Sequence, residues 1–294
     1  MITVLTATFN RACLLPDLYR SLCRQTNHAF DWLIVDDGST DGTETLVRQW
    51  EEDTPAFRLR YLRKENEGKN RALNDGVTRI ETPFTMIVDS DDYLTDDAVA
   101  FLSTAAFEIA DEENVAGVAA LRGTDAETPL QKPDIPNGLY ILASNLERAQ
   151  HLLNRDACEV YKTELLRAHP FEVWPGEIFV PEEIVWDTIA LKGFSLRWYP
   201  KVTCIVRYQE DGLTASSRRL QQQNPMGYAS LFKHRAHLAK SFRRRFYWNC
   251  QLFAQCFLGR HLRFGLKKNL SLCSLLSIPF GFLLAGRRLL QYIQ

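Results

Sequence analysis

The chain has 294 residues, 46% of them hydrophobic and 24% charged, a globular usage that excludes a disordered or collagenous chain and leaves room for one large domain with an extension. Its formal net charge of −1 conceals a division at Asp211, the last acidic residue: up to there 21 Lys and Arg stand against 36 Asp and Glu, and beyond it 14 stand against none. An acidic body with a basic, apolar final quarter directs the tail toward something negative, the choices being an anionic membrane surface, nucleic acid or an acidic partner.

Met1 leads directly into Ile2-Thr3-Val4-Leu5-Thr6 with no charged lead and no signal-like stretch, so no secretory targeting is expected and a cytosolic site follows. From there one pattern repeats: a short apolar run, a polar or Gly-rich turn, then apolar residues at three- and four-residue spacing. It predicts strands over 2–8, 32–36, 59–63 and 84–89, and helices beginning near Leu14, Thr43, Lys69 and Ala98. Such alternation belongs to a mainly parallel α/β sheet, where ligands bind beyond the carboxyl ends of strands. Asn10, Asp36, Asp37, Asn66, Asp89 and Asp91 all fall at those ends.

After about Val115 the alternation loosens. A Pro-containing polar stretch over 124–137 reads as a loop, and a helix over 182–191 with strand-like runs through 196–207 closes the body. The expected division is a body over 1–215 and a tail over 216–294. Seven scattered cysteines have no paired metal-ligand spacing and read as reduced, mostly buried thiols.

In the tail, Arg243, Arg244 and Arg245 precede an apolar run over 246–258, and Arg260, His261, Arg263, Lys267 and Lys268 precede a second one. That second run, 270–286, lies at the short edge of the roughly 17 to 25 residues that cross a bilayer, and it holds three Ser, one Pro and two Gly. A helix pair lying in the membrane interface is expected rather than a spanning helix. The alternative is an ordinary helical subdomain.

Two acidic clusters carry the chemistry. Val35-Asp36-Asp37-Gly38-Ser39-Thr40-Asp41-Gly42 ends an apolar strand; a carboxylate there can accept hydrogen bonds from a base edge or a ribose, with the glycines permitting a tight turn. A helix N-cap or a calcium-like loop would use the same residues. Met86-Ile87-Val88-Asp89-Ser90-Asp91-Asp92 ends another strand and brings three hard carboxylates to the ligand edge, suited to Mg²⁺ or Mn²⁺ bound with a nucleotide diphosphate. Such a cation offsets charge on a departing diphosphate. Lys69, Asn70 and Arg71 open a helix after Gly68, where a cation can meet phosphates or simply face solvent.

These motifs in order, Val4-Leu5-Thr6-Ala7-Thr8-Phe9-Asn10, Asp36-Asp37-Gly38-Ser39-Thr40-Asp41, Asn66-Glu67-Gly68-Lys69-Asn70-Arg71-Ala72-Leu73-Asn74 and Asp89-Ser90-Asp91-Asp92, resemble those of the family-two glycosyltransferases. The resemblance is specific over about residues 1–100, looser to about 215, and absent from the tail. It implies a GT-A fold, a Rossmann-like mixed α/β sheet with a nucleotide-sugar half over 1–115 and an acceptor half over 116–215. It further implies an inverting, metal-dependent hexosyltransferase that takes a nucleotide-sugar donor, UDP-linked by expectation, with Mn²⁺ or Mg²⁺. By analogy, Ala7 and Phe9 line the base pocket, Asp37 meets the uracil or ribose, Asp89 the ribose or sugar, and Asp91 and Asp92, with Asp89, the metal-diphosphate centre.

Inversion in one displacement needs a base on the face opposite the leaving diphosphate. Phe179-Val180-Pro181-Glu182-Glu183-Ile184-Val185-Trp186-Asp187 resembles the family's acidic segment before a helix, with Glu-Glu where Glu-Asp is frequent. Glu182 and Glu183 rank level as the base and Asp187 third; acidic residues favouring a helix dipole are the alternative. Gln209-Glu210-Asp211-Gly212-Leu213-Thr214 resembles a loop that closes over donor or acceptor in some members.

The expected partners are therefore a nucleotide-sugar donor, a glycan or lipid-linked acceptor in surface-polysaccharide assembly, and the inner face of the cell membrane, reached through the tail by a protein otherwise cytoplasmic. No nucleic acid is expected, because no recognisable motif accompanies the basic tail. Two other functions compete. One is a non-catalytic nucleotide-sugar-binding module, which has no need of the Asp89, Asp91 and Asp92 set. The other is a nucleotidyltransferase, which would carry a Gly-rich basic loop after its first strand where Thr8-Phe9-Asn10-Arg11-Ala12 stands.

Overall fold

The structure, a computed structural model, describes residues 1–53, 55–136, 138–207, 217–267 and 271–293. The chain forms two units, one of 1–170 with 185–208 and the other of 171–184 with 209–294. The boundary expected at 215/216 and the loop expected over 209–214 lie outside the described residues.

In the first unit, β1 (Ile2–Thr8), α1 (Leu15–Cys23), β2 (Phe30–Asp36), α2 (Thr43–Glu52), β3 (Arg58–Arg63), α3 (Lys69–Arg79) and β4 (Phe84–Ile87) alternate. β5 (Tyr93–Leu94), α4 (Ala98–Glu108), β6 (Val115–Gly123), β7 (Ile141–Ala143), β8 (Ala157–Lys162), α5 (Thr163–Ala168), α6 (Glu183–Leu191, whose first two residues group with the second unit) and β9 (Ser195–Ile205) follow. The four helix starts fall within a residue of the sequence expectation. Nine strands among the described residues form one sheet in the order β3-β2-β1-β4-β8-β6-β9-β5, with β7 on β9.

β1, β2, β3 and β4 are mutually parallel, as the alternating pattern requires. β8 then enters antiparallel between β4 and β6, so the sheet is mixed. β4 is two residues shorter than the strand expected over 84–89. Val88 N–H still donates to Leu5 carbonyl at 3.0 Å, but the chain then turns, with Asp92 N–H donating to Asp89 carbonyl at 3.2 Å. That turn lifts the aspartates off the strand.

Every residue of β2 is buried, as expected of a strand covered on both faces. Trp32 anchors an aromatic stack with Tyr19, Trp50 and Phe57. Its indole N–H donates to Thr6 Oγ1 at 3.1 Å, so the polar end of a fully buried ring keeps a partner.

The second unit holds α7 (Ser217–Gln223), α8 (Pro225–Leu238), α9 (Phe242–Leu258), α10 (Leu262–Leu266) and α11 (Leu272–Ile293). Met226, Leu231, Phe232, Leu252 and Cys256 make its core, with Trp174 and Trp248 packed against them. Segment 171–184 belongs here for a polar reason. Glu177 accepts the N–H groups of Met226 and Gly227, each at 2.7 Å, closing the exposed donors of the first turn of α8, and Asn224 Oδ1 accepts those of Ile178 and Phe179.

Candidate active site

Parallel register carries the carboxyl ends of β1, β2 and β4 to one edge: Thr8 lies opposite Asp36, and Leu5 opposite Ile87. Everything beyond those ends is loop, and the loops are tied to one another. Asn10, held at φ 53°, accepts the Thr40 N–H on Oδ1 at 2.8 Å and donates its own N–H to Ser39 Oγ at 2.8 Å. Gly38 turns at φ +81°, where a Cβ would stand 2.8 Å from the Asn66 nitrogen; only glycine fits a left-handed turn that close to another backbone. Ala7 is half-buried and Phe9 43% exposed.

The first cluster serves the fold as much as any ligand. Asp36 is buried; Oδ1 accepts the Ser39 N–H at 2.7 Å and Oδ2 accepts the Tyr61 hydroxyl, whose pKa is raised by burial and by that carboxylate. Asp37 Oδ1 accepts the Glu67 N–H at 3.0 Å, with Lys64 Nζ 3.4 Å away, and Oδ2 accepts the Gly68 N–H at 2.7 Å. A carboxylate offers about four acceptor positions, and those that Asp37 fills with the Glu67 and Gly68 N–H groups set the turn that opens α3. Lys69 and the buried Asn70 begin that helix.

The second cluster is a network of opposed charges. Lys69 Nζ donates to Asp89 Oδ1 at 2.7 Å. Arg122, which the sequence reading did not single out, reaches from the end of β6. Its Nη1 donates to Asp92 Oδ2 at 2.7 Å and lies 3.6 Å from Asp89 Oδ2, while Nε donates to the Ala157 carbonyl at 3.0 Å. The Cys204 sulfur lies 3.8 Å from Asp92 Oδ2.

These neighbours separate three adjacent carboxylates. Lys69 first, and Arg122 with it, hold Asp89 well below the ordinary carboxylate range. Burial pushes Asp92 up to about 7 against the pull of Arg122. Asp91 is raised by burial and then by the charge of Asp89, against the pull of Arg11 and Lys69. The network thus pairs Asp89 with Lys69 and Asp92 with Arg122, and Asp91 lies within the electrostatic reach of Arg11 and Lys69. Among the described residues no three Asp, Glu, His or Cys side chains converge as a ready-made cage. A Mg²⁺-type cation takes one or two carboxylates and completes its shell with substrate phosphates and water, and Asp89, Asp91 and Asp92 carry hard oxygen donors of that type. The hard-oxygen donors present therefore suit the group that the second cluster implies.

The three candidate bases fall in different settings. Glu183 makes a two-pronged ion pair with Arg235, at 2.8 and 2.6 Å, and Glu182 is half-buried beside it in the helical unit. Asp187 belongs to the α/β unit, is buried, and accepts Asn145 Nδ2 at 2.6 Å; next to it Trp186 stacks on Tyr161 at 4.6 Å. The structure brings Lys69, Asp89, Asp91 and Asp92 together around Arg122, sets Asp37 on the turn before α3, and places Glu182 and Glu183 in the other unit. A signal for Arg122 was available: it is the single charge closing the apolar run over 115–121.

The sequence profile described as Glycosyl transferase family 2 matches residues 3–168, more than half of the chain and the whole carboxylate edge. The chain belongs to that family. Among relatives of this glycosyl transferase family 2 protein, the Campylobacter jejuni GalNAc(5)-diNAcBac-PP-undecaprenol β-1,3-glucosyltransferase is 23% identical over 245 residues, 79% of this chain and 73% of that protein. The Bacillus subtilis TuaG, named for teichuronic acid biosynthesis, is 32% identical over 92 residues; that match takes in 31% of this chain and only 36% of the relative's length. Among solved structures, the Pyrobaculum calidifontis mannosyltransferase PcManGT, in complex with GDP-Man and Mn²⁺, superposes with a TM-score of 0.58 at 21% identity, covering 98% of this chain and 79% of that one. S. aureus TarS in complex with UDP-GlcNAc superposes with a TM-score of 0.57 at 19% identity, covering 95% and 79%. The fold is GT-A-like, a mixed α/β sheet followed by C-terminal helices.

Proposed function

We propose that this chain moves a hexose, with inversion, from a nucleotide-diphosphate sugar, UDP-linked first among candidates, to a glycan or lipid-linked acceptor in surface-polysaccharide assembly. We place it at the cytoplasmic face of the cell membrane, with its tail as the contact. One observation carries the reading: three aspartates gather beyond β4, two of them hydrogen-bonded to Lys69 and Arg122, and we assign the third, Asp91, to a cation that the donor diphosphate would share. Family membership and the names of the relatives, one acting on an undecaprenol-linked glycan, support it.

Asp91, with Asp89 beside it, would hold Mn²⁺ or Mg²⁺. When bound, such a cation supplies charge stabilisation to the leaving diphosphate. The protein's own groups do the rest. Lys69 and Arg122 fix the aspartates so that no reorganisation is needed when charge develops. Asp37 meets the nucleoside, and Phe9 offers an exposed ring for base stacking. Glu182, Glu183 or Asp187 takes the acceptor proton.

A panel of nucleotide sugars assayed for hydrolysis and transfer with Mn²⁺, with Mg²⁺ and with EDTA tests this. Release of one nucleotide only when a divalent cation is present is the expected outcome. Equal turnover in EDTA would remove the metal, and binding without turnover across all donors and acceptors would favour the non-catalytic module.

A further inference from the structure

α11 is built inside out. The residues it buries are small or polar, Ser274, Ser277, Gly281 and Ala285, at three- and four-residue spacing. A Cβ on Gly281 would lie 2.6 Å from Phe253 Cβ, so α9 and α11 touch nearly backbone to backbone. The large apolar side chains occupy the opposite face: Leu272, Leu276, Phe280, Leu283 and Leu290, also three, four and seven residues apart, are 72%, 49%, 55%, 72% and 68% exposed. A soluble helix turns its large side chains to the core. Here they form a continuous outward stripe of the sort that marks an interaction surface.

Charge selects the occupant. In the same unit a groove of ≈ 690 Å³ is lined by Arg260, His261 and Arg263 together with the apolar Phe257, Leu262 and Leu289. On the outer face of α11 a second depression runs past Phe282 and Leu283 to Arg287. With 14 cations and no acidic residue beyond Asp211, a second copy of this face would be repelled, whereas an anionic lipid surface satisfies both the cations and the exposed stripe.

We propose that the outer face of α11, with the Arg260–Arg263 groove beside it, docks in the plane of an anionic phospholipid membrane, lipid phosphates meeting Arg260, Arg263 and Arg287 while Leu276, Phe280 and Leu283 enter the acyl boundary. This deepens, and rests on, the membrane contact in the proposed function. Leu272–Leu290 is long and apolar enough to cross a bilayer, but its inward face is fastened to α9. α9 carries Arg243, Arg244 and Arg245 and the buried Asn249 and Gln255, and its Gln251 accepts a hydrogen bond from Arg288. Carrying that helix to mid-bilayer is costly, so α11 lies on the membrane rather than through it.

The test is flotation of the full-length protein on phosphatidylglycerol or phosphatidylcholine vesicles, with wild type, Leu276→Asp/Leu283→Asp and Arg260→Ala/Arg263→Ala compared after circular dichroism confirms that each folds. Expected are flotation of wild type on phosphatidylglycerol, a loss of at least about tenfold for the leucine pair on both vesicles, and a loss of about tenfold for the arginine pair on phosphatidylglycerol alone. Equal flotation of the leucine pair, or no flotation of wild type, overturns the proposal. So does a concentration-dependent dimer that the leucine pair abolishes, since a second copy would then cover the stripe. Resistance of bound protein to alkaline carbonate extraction would overturn the in-plane seat. Nucleotide-sugar hydrolysis without vesicles is expected to be unchanged in both variants, so failure here is separable from failure of the glycosyl-transfer reading.

Discussion

The two units put the same kinds of side chain to opposite uses. In the α/β unit large apolar residues lie inside, Trp32, Leu33 and Ile34 among them, and at the sheet edge Lys64, Lys69 and Arg122 lie against Asp37, Asp89 and Asp92. In the helical unit α11 turns Ser277, Gly281 and Ala285 inward and its leucines outward, and the sequence beyond Asp211 holds 14 cations and no acidic residue, Arg235 finding its partner in Glu183 of the segment 171–184. One unit turns large apolar side chains inward, while α11 of the other exposes them along a helix face.

The contrast can be broken at several points, the largest effect first. Arg122→Met leaves the buried Asp92 without its cation, and removing one partner of a buried pair is expected to destabilise the protein by about 3–5 kcal/mol, read by urea unfolding. Trp32→Ala opens a cavity at the centre of the aromatic stack and is expected to cost about 3–5 kcal/mol, whereas Leu283→Ala in vesicle-free buffer should stay within about 0.5 kcal/mol. Comparable losses at both sites would mean that the α11 stripe is covered by protein. Gly281→Leu forces α9 and α11 apart and is expected to cost about 1–3 kcal/mol.

The smallest effect belongs to Asp97. Its carboxyl is lowered chiefly by the Lys201 ammonium at 2.6 Å. Because the folded carboxyl sits below its unfolded value, the pair contributes stability above the ordinary carboxylate range and loses it as pH falls through the lowered value. For groups this exposed the contribution is under about 1 kcal/mol. Lys201→Met should therefore lower the melting temperature slightly at neutral pH, with the difference shrinking as the pH falls below the ordinary carboxylate range.

How much of this was legible in the chain differs between the units for a physical reason. β1 to β4 and their helices read directly, because a strand buried on both faces needs an unbroken apolar run and each parallel crossover needs a turn and an amphipathic helix. Asp36, Asp37 and Asp89 were visible as acids ending such runs. Arg122 could be seen only as the charge ending the run over 115–121; its meeting with Asp92 depends on β8 entering antiparallel between β4 and β6, a pairing between distant segments that no local pattern encodes. The grouping of 171–184 with the tail turns on Glu177 capping α8, again a long-range contact. The small residues of α11 stand at helical spacing in the sequence, but which face they form inward is decided by α9.

The most direct test of the central claim, that Asp91 is the carboxylate serving a cation and the diphosphate it binds, is calorimetric titration of UDP into wild type and Asp91→Asn with Mn²⁺ and with EDTA. Wild type is expected to bind more tightly with Mn²⁺ by about tenfold or more, and Asp91→Asn to lose that gain while keeping wild-type stability. Undiminished Mn²⁺-dependent binding by Asp91→Asn would contradict the assignment and move the cation to Asp89 or Asp92.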